Sequence, residues 1–356
     1  MIPPATGSFP RREGNLVRPL IGGAEAFGRI AEAVDAARER VWLTVAFYAD
    51  DFRLPDGRGL FDLLEGAASR GVDVRGVFLK STPVTACYGR TYPVDAPPRP
   101  RLKIRWDRAV DPYVHHQKSW VVDDKGFVGG INLTAKALER HDAYVEIGGP
   151  SAADVAQNFV ERWNGASEPH GTDDLPAETT VPAACGPSLV HIQRMFRNER
   201  SILEQYERAI DAAERSIYIE NQAIPIPAIA ARLENALKRG VDVLLLVPAI
   251  PEKSVYAARK DPALRDLFEG LAALGQYPNF RLAGLSVYVH CKLMIVDDAW
   301  ATIGSCNLHR NSLGGHSEMN ASIWDASVVR DLRERLHRKH EGDMFTLAPE
   351  SYAVSR

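Results

Sequence analysis

The chain is 356 residues long, 45% hydrophobic and 25% charged, with a formal net charge of −3. A chain of this size builds one large core or two domains of ordinary size, and its composition excludes a disordered polymer. No global basic field advertises a nucleic-acid partner, although net charge is silent on local patches.

Hydrophobic periodicity predicts an amphipathic helix over roughly Ala24–Arg38, then a strand Val41–Tyr48 rich in Val, Leu and aromatics. A helix at about Leu60–Ser69 leads through Arg70-Gly71 into a strand Val72–Leu79. The Pro-rich stretch from Ser81 to Pro100 is too long for a plain connector and is a candidate lid over a substrate. Strands follow near Leu102–Trp106, His116–Val122 and Tyr144–Ile147, and a helix capped by Ser151 aligns Val155, Phe159 and Trp163 in one apolar stripe. Residues 165–187, rich in Gly, Pro, Asp and Thr, read as a linker between halves 1–164 and 188–356.

The order then repeats. Helices near Ser201–Glu214 and Ala228–Lys238 alternate with strands Ile217–Ile219 and Val241–Val247. Strands near Phe280–Ala283, Val287–Val296 and Ser317–Ile323 precede a last helix at about Val328–Lys339. Ala67-Ala68-Ser69-Arg70-Gly71-Val72-Asp73-Val74 is echoed by Ala236-Leu237-Lys238-Arg239-Gly240-Val241-Asp242-Val243. The expected fold is α/β: two similar halves packed about a pseudo-twofold, a homodimer fused into one chain, with one active site at the interface. The protein is expected to be a monomer with that internal pseudo-dimer.

Four cysteines (Cys87, Cys185, Cys291, Cys306) show no Cys-x-x-Cys spacing, so no disulfide framework is expected, nor any metal or other cofactor. The start, Met1 to Gly7, lacks a signal-peptide pattern, and no apolar run reaches transmembrane length. The expected location is cytoplasmic or peripheral to a membrane, with export by a signal-free route left open.

Two copies of one pattern carry the chemistry. His116-Gln117-Lys118 runs to Asp123 and on to Gly129-Gly130-Ile131-Asn132; His290-Cys291-Lys292 runs to Asp297 and on to Gly304-Ser305-Cys306-Asn307. Alternate residues of a strand share a face, so His116 with Lys118, and His290 with Lys292, point one way. Asp123 and Asp297 have the opposite parity and are expected to brace the strand ends. Gly130 and Ser305 at the following turns, with Asn132 and Asn307, are expected to hold a phosphate through backbone and amide N–H groups. Two imidazoles, two ammoniums and two amides at one point make a site for a phosphodiester. One histidine attacks phosphorus and the other protonates the departing alcohol, then deprotonates the incoming one. Each imidazole needs an acceptor at its second nitrogen; Glu146 and Glu318, on the strands after the motifs, are the candidates. His141, His170, His191, His309, His316, His337 and His340 lack a motif partner, and each is expected to be a surface or satisfied histidine. Trp120 is an even choice between pocket wall and core.

On these motifs the chain resembles the phospholipase D superfamily over nearly its whole length. The run Ile217-Tyr218-Ile219-Glu220-Asn221-Gln222 is similar to a segment typical of that family's lipid-acting branch. The resemblance implies His116 as nucleophile, His290 as general acid, and Glu220, Asn221 and Gln222 as substrate-binding. Ala223 and Ile224 depart from the family's aromatic pair, and Asn311-Ser312 from its Arg-Ser. The leading expectation is a metal-independent phospholipase D, hydrolysing a glycerophospholipid at a membrane surface to phosphatidic acid and a head-group alcohol. The nearest alternative is a phosphatidyltransferase of the cardiolipin synthase type. A nucleic-acid phosphodiesterase and a non-catalytic lipid- or anion-binding protein rank below both.

Overall fold

The computed structural model describes residues 1–80, 92–107, 113–169 and 173–354. The expected lid falls mostly on residues 81–91, outside the described residues, as do Cys87 and His170.

The first half runs β1 (Arg12–Ile21), α1 (Gly23–Ala36), β2 (Arg40–Val45), α2 (Leu60–Ser69), β3 (Asp73–Leu79), β4 (Lys103–Asp107), β5 (Ser119–Val122), β6 (Lys125–Gly129), β7 (Ala143–Gly148), α3 (Ala152–Glu161) and β8 (Ser167–Glu168). Its sheet has the order β8-β4-β3-β2-β5-β6-β7-β1. The second half runs β9 (Ser188–Phe196), β10 (Glu199–Arg200), α4 (Ser201–Asp211), β11 (Ser216–Asn221), α5 (Pro227–Lys238), β12 (Asp242–Leu246), α6 (Lys253–Lys260), α7 (Arg265–Leu274), β13 (Phe280–Gly284), β14 (Lys292–Val296), β15 (Trp300–Gly304), α8 (Arg310–Gly314), β16 (Glu318–Trp324), α9 (Ala326–His340) and β17 (Phe345–Thr346). Its order β17-β13-β12-β11-β14-β15-β16-β9 repeats the first sheet element by element.

In both halves three parallel strands adjoin an antiparallel meander, with α2 linking β2 to β3, α5 linking β11 to β12, and α6 and α7 linking β12 to β13. The repeated Arg-Gly is where a helix ends: Gly71 and Gly240 take φ of 89° and 88°, left-handed values that a side chain would strain.

Sequence patterning did not reveal β1 or β9, and these are the strands that join the halves. They pair antiparallel, Arg12 with Val190 and Asn15 with Ser188. β1 carries Arg12, Glu13, Asn15, Arg18 and Pro19, so no apolar alternation marks it. β9 is buried yet polar, because Gln193 bonds Gln205 (2.8 Å) and Ser322 (2.6 Å), and His191 bonds the Phe9 carbonyl (2.9 Å). Such strands read as loops from sequence, since their polar groups are satisfied only by tertiary partners.

Apolar side chains fill the space between the sheets. Val121, Val145 and Phe159 from the first half share one buried cluster with Ile295, Ile303 and Met319 from the second. Separate clusters lie under α1 and α2 and under α4, α5 and α7. Trp120 belongs to the core under α1 and α2. Ser151 does stand at the N-cap of α3, but its hydroxyl bonds the Val190 carbonyl (3.4 Å) and not the helix. No helix among the described residues is long and apolar enough to cross a membrane.

Candidate active site

Both motif strands start later than periodicity suggested, at Ser119 and Lys292. The histidines therefore sit on extended segments just before them, and each segment is tied to the opposite half. His116 N–H donates to the Ser317 carbonyl (2.9 Å), and His290 N–H donates to the His141 carbonyl (2.8 Å). These crossings put each imidazole against a carboxylate of the other half. His116 Nδ1 lies 2.9 and 3.0 Å from the Glu318 oxygens, and His290 Nδ1 lies 2.5 Å from Asp142 Oδ2. With Nδ1 donating to its carboxylate, each imidazole keeps Nε2 for a substrate.

The two carboxylates are held differently. Glu318 accepts from the Ser305 hydroxyl (2.6 Å) and the Ser312 hydroxyl (2.5 Å). Asp142 accepts from the Ala143 backbone N–H (2.8 Å). Burial raises Asp142 to about 6 against the pull of Lys292, and it also raises Glu318.

Lys118 and Lys292 are buried beside the imidazoles, and burial lowers the affinity of both for a proton. Lys118 Nζ donates to the His116 carbonyl (2.6 Å); Lys292 Nζ donates to the His290 carbonyl and to Gln222 Oε1 (3.2 Å). Burial, then the lysine charges, depress both histidines well below their ordinary value. In the free site both imidazoles are thus neutral nucleophiles or bases. An entering phosphodiester offsets the lysine charges and so favours the protonated form that a general acid requires.

These groups open into a cavity of about 690 Å3 that His116, His290, Asn132 and Asn307 all line. The Oδ1 atoms of Asn132 and Asn307 are buried and lack a hydrogen-bond partner among the described residues. Two symmetry-related orphan amides beside two histidines fit a polar ligand between the halves. Ala223, Ile224, Val255, Leu264, Leu267 and Phe268 make one apolar wall. α6 has no fully buried residue; its Val255 and Ala258 line this wall while packing, half-buried, against the edge of the second-half core. His309 and His316 also face the cavity. Their Nδ1 atoms accept from the backbone N–H of Ser312 (3.2 Å) and Val114 (3.1 Å), which leaves Nε2–H as a neutral donor. Burial pushes His316 down to about 3.

Several sequence-predicted residues land elsewhere. Glu146 reaches neither imidazole: Arg29 holds it through two bonds of 2.7 Å on the outer side of β7. The Gly130 N–H is spent on the Ala143 carbonyl (3.1 Å), and a Cβ there would come within 2.6 Å of Asp142 Oδ1 and 3.0 Å of Lys292 Cδ. Gly130 therefore supplies clearance and not a phosphate contact. Ser305 anchors Glu318, and its own N–H is bonded to the Met319 carbonyl (3.0 Å). Of Glu220, Asn221 and Gln222, only Gln222 lines the cavity. Asn221 Oδ1 accepts the N–H groups of Ala223 (3.0 Å) and Leu308 (3.2 Å) and shapes a turn. Asp123 accepts backbone N–H from Arg38, Glu39 and Arg40; Asp297 does the same for Glu214, Arg215 and Ser216. Each ties a motif's end to the neighbouring helix-strand junction.

Glu220 is fully buried in a polar knot. It accepts from His141 Nε2 (2.6 Å) and the Tyr218 hydroxyl, and His340 Nε2 lies 3.3 Å from His141 Nε2. Burial works to raise Glu220, but the His141 charge and bond outweigh it and hold the carboxyl at about 2. His141, Glu220 and His340 form a donor set close enough for a metal ion, with ligand atoms within 4.8 Å, and their hydrogen bonds already join them to one another. The knot fixes His141, whose backbone carries the bond to His290 and whose neighbour is Asp142.

Sequence reasoning missed Asp142, His141, His340, His309 and His316. Asp142 was within reach by counting from the paired asparagines. It follows Asn132 within one residue of the interval that separates Glu318 from Asn307, whereas Glu146 lies three residues too far. The other four histidines carry no motif and are brought in by contacts distant in sequence.

Comparisons with known proteins agree with the duplicated fold. The family profile described as "Cardiolipin synthase, PLD-like domain" matches twice, over residues 30–163 and 206–339. Cardiolipin synthase A of Pseudomonas putida (strain F1) is 28% identical over 95% of this chain and 71% of its own. Cardiolipin synthase of Listeria innocua is 25% identical over 96% of this chain and 72% of its own. The crystal structure of phosphatidylserine synthase from Haemophilus influenzae Rd KW20 superposes with a TM-score of 0.72 at 14% identity, covering 98% of this chain and 91% of that one.

Proposed function

The chain belongs to the cardiolipin synthase, PLD-like domain family, and on that premise we propose that it is a phosphatidyltransferase, joining the phosphatidyl group of one phospholipid to the hydroxyl of a second. The observation that carries this reading is one cavity holding both imidazoles and an extended apolar wall. His116 Nε2, oriented by Glu318, attacks the phosphorus of the donor lipid, and the P–O bond to the head-group alcohol breaks. His290, oriented by Asp142, gives that oxygen a proton. The acceptor hydroxyl then attacks the phosphohistidine: its proton passes to His290, the P–N bond breaks and a new P–O bond forms. Lys118, Lys292 and the two asparagine amides attend the phosphoryl oxygens, where charge grows in each transition state.

The sequence ranked hydrolysis above transfer. The names of the relatives, cardiolipin synthases at 25–28% identity, support the opposite order. Hydrolysis is the same second step with water as the acceptor.

The test is incubation with phosphatidylglycerol and analysis of products. Bis-phosphatidyl lipid with matching glycerol is expected, together with an acid-labile phosphoprotein that His116→Ala abolishes. Phosphatidic acid alone would return the protein to the hydrolases. Full activity retained in both His116→Ala and His290→Ala would sink the mechanism. EDTA-resistant cleavage of DNA or RNA without lipid turnover would move it to the nucleic-acid phosphodiesterases.

A further inference from the structure

Within that transferase reading, on which the inference rests, a second lipid must present its hydroxyl beside His290. If the acceptor is itself an anionic, glycerol-headed phospholipid, its own phosphate lies only a three-carbon glycerol away from the attacking oxygen. That phosphate cannot share the site of the first, because the phosphohistidine occupies it. A separate cation on the His290 side of the cavity is required.

Arg140 meets this requirement. It lies on the loop between β6 and β7, two residues before Asp142, and lines the cavity. Its guanidinium carbon rests 4.6 Å from the Tyr288 ring centre, and among the described residues its side-chain N–H groups have no hydrogen-bond acceptor. No carboxylate among the described residues lies within 4.0 Å of it, in a chain where most buried or half-buried arginines are paired. Its charge acts on His290 and Lys292, while the charges acting on His116 come from Lys118, Lys292, His309 and His290. Arg140 thus sits toward the proton-transfer histidine and away from the nucleophile. Lys136, on the same loop, adds a second cation to the lining. Glu252 also lines the cavity, where it accepts from Gln222 Nε2 (3.4 Å) and lies near the Tyr288 hydroxyl, but not within 4.0 Å of the Arg140 guanidinium.

We propose that Arg140, with Lys136, binds the phosphodiester of an anionic acceptor lipid and so selects the acceptor in phosphatidyl transfer. Neutral alcohols reach the phosphohistidine without using this subsite. A planar guanidinium suits the diester, since two parallel N–H donors can meet two phosphoryl oxygens.

The experiment offers phosphatidylglycerol as donor with either a second phosphatidylglycerol or ethanol as acceptor, and reads the ratio of the two products. Arg140→Gln is expected to lower that lipid-to-ethanol ratio by about tenfold or more, with Arg140→Lys between it and the wild type. An unchanged ratio would overturn the proposal, and so would a fall in both products together, since Arg140 would then merely support His290. If the wild type transfers to neither acceptor, it is the transferase reading that has failed. Binding then decides the subsite. Dihexanoyl-phosphatidylglycerol should bind His116→Ala at two per chain and His116→Ala/Arg140→Gln at one; one per chain in both would refute a second site.

Discussion

The two halves share one eight-strand order, with the short β10 added beside β9 in the second, yet neither pairs its own motif histidine with its own carboxylate. His116 of the first half is completed by Glu318 of the second, and His290 of the second by Asp142 of the first. Both imidazole–carboxylate pairs therefore exist only when the two sheets are docked. The halves also differ in how they hold their carboxylates. Two serine hydroxyls and His116 saturate Glu318, whereas Asp142 relies on one backbone N–H beside His290. A firmly held acceptor suits a histidine that must keep one orientation through covalent bond formation. A carboxyl raised to about 6 suits one that exchanges a proton twice per cycle.

Breaking either crossing should have the largest effect. Glu318→Gln and Asp142→Asn are each expected to lower kcat by about 10^3–10^4, because an amide favours the wrong imidazole tautomer. Glu146→Gln, on the strand where the sequence placed an acceptor, should leave kcat within about twofold. Steady-state transfer assays on the three variants check this. A large loss in Glu146→Gln, or none in Asp142→Asn, would undo the assignment of partners.

The buried knot is the next lever, and it acts on the fold. Glu220→Gln leaves His141 and His340 without their carboxylate in a site closed to water, and is expected to cost about 3–5 kcal/mol. Glu146→Gln removes a partner of the partly exposed Arg29 and should cost about 1 kcal/mol. Urea unfolding of both variants measures the difference. The pH dependence has a definite sign: Glu220 is held below its unfolded value. Its contribution is present above pH 4.5 and is lost as pH falls toward about 2.

What the sequence made legible was the part whose signal is local. The paired motifs, the duplication and the α/β alternation all rest on spacing within one stretch of chain. The strands joining the halves were hidden because β1 and β9 satisfy their polar groups with distant partners such as Gln205 and Ser322. The acceptor for His290 was hidden for a related reason. Strand parity ranks residues along one sheet, and Asp142 precedes β7, where the chain crosses to the other half. Glu318 was found because it opens β16, a strand end visible in the pattern. At Glu220 the family resemblance implied a substrate contact, whereas its surroundings are a closed hydrogen-bonded knot.

The unequal carboxylates also predict a pH response that separates activity from stability. Asp142 ionises near pH 6, so transfer activity should fall as pH drops through about 6, roughly tenfold per unit, as the carboxyl gains a proton and stops accepting from His290. The fold responds with the opposite sign. A carboxyl raised above its unfolded value stabilises the folded chain when protonated, and that contribution is lost as pH rises through about 6. Between pH 7 and pH 5 activity should therefore decline while this group causes no fall in Tm. The residual activity of Asp142→Asn should lack the acidic limb, whereas Glu318→Gln should retain it. A limb near pH 6 that persists in Asp142→Asn would place the controlling proton elsewhere and erase the distinction drawn between the two halves.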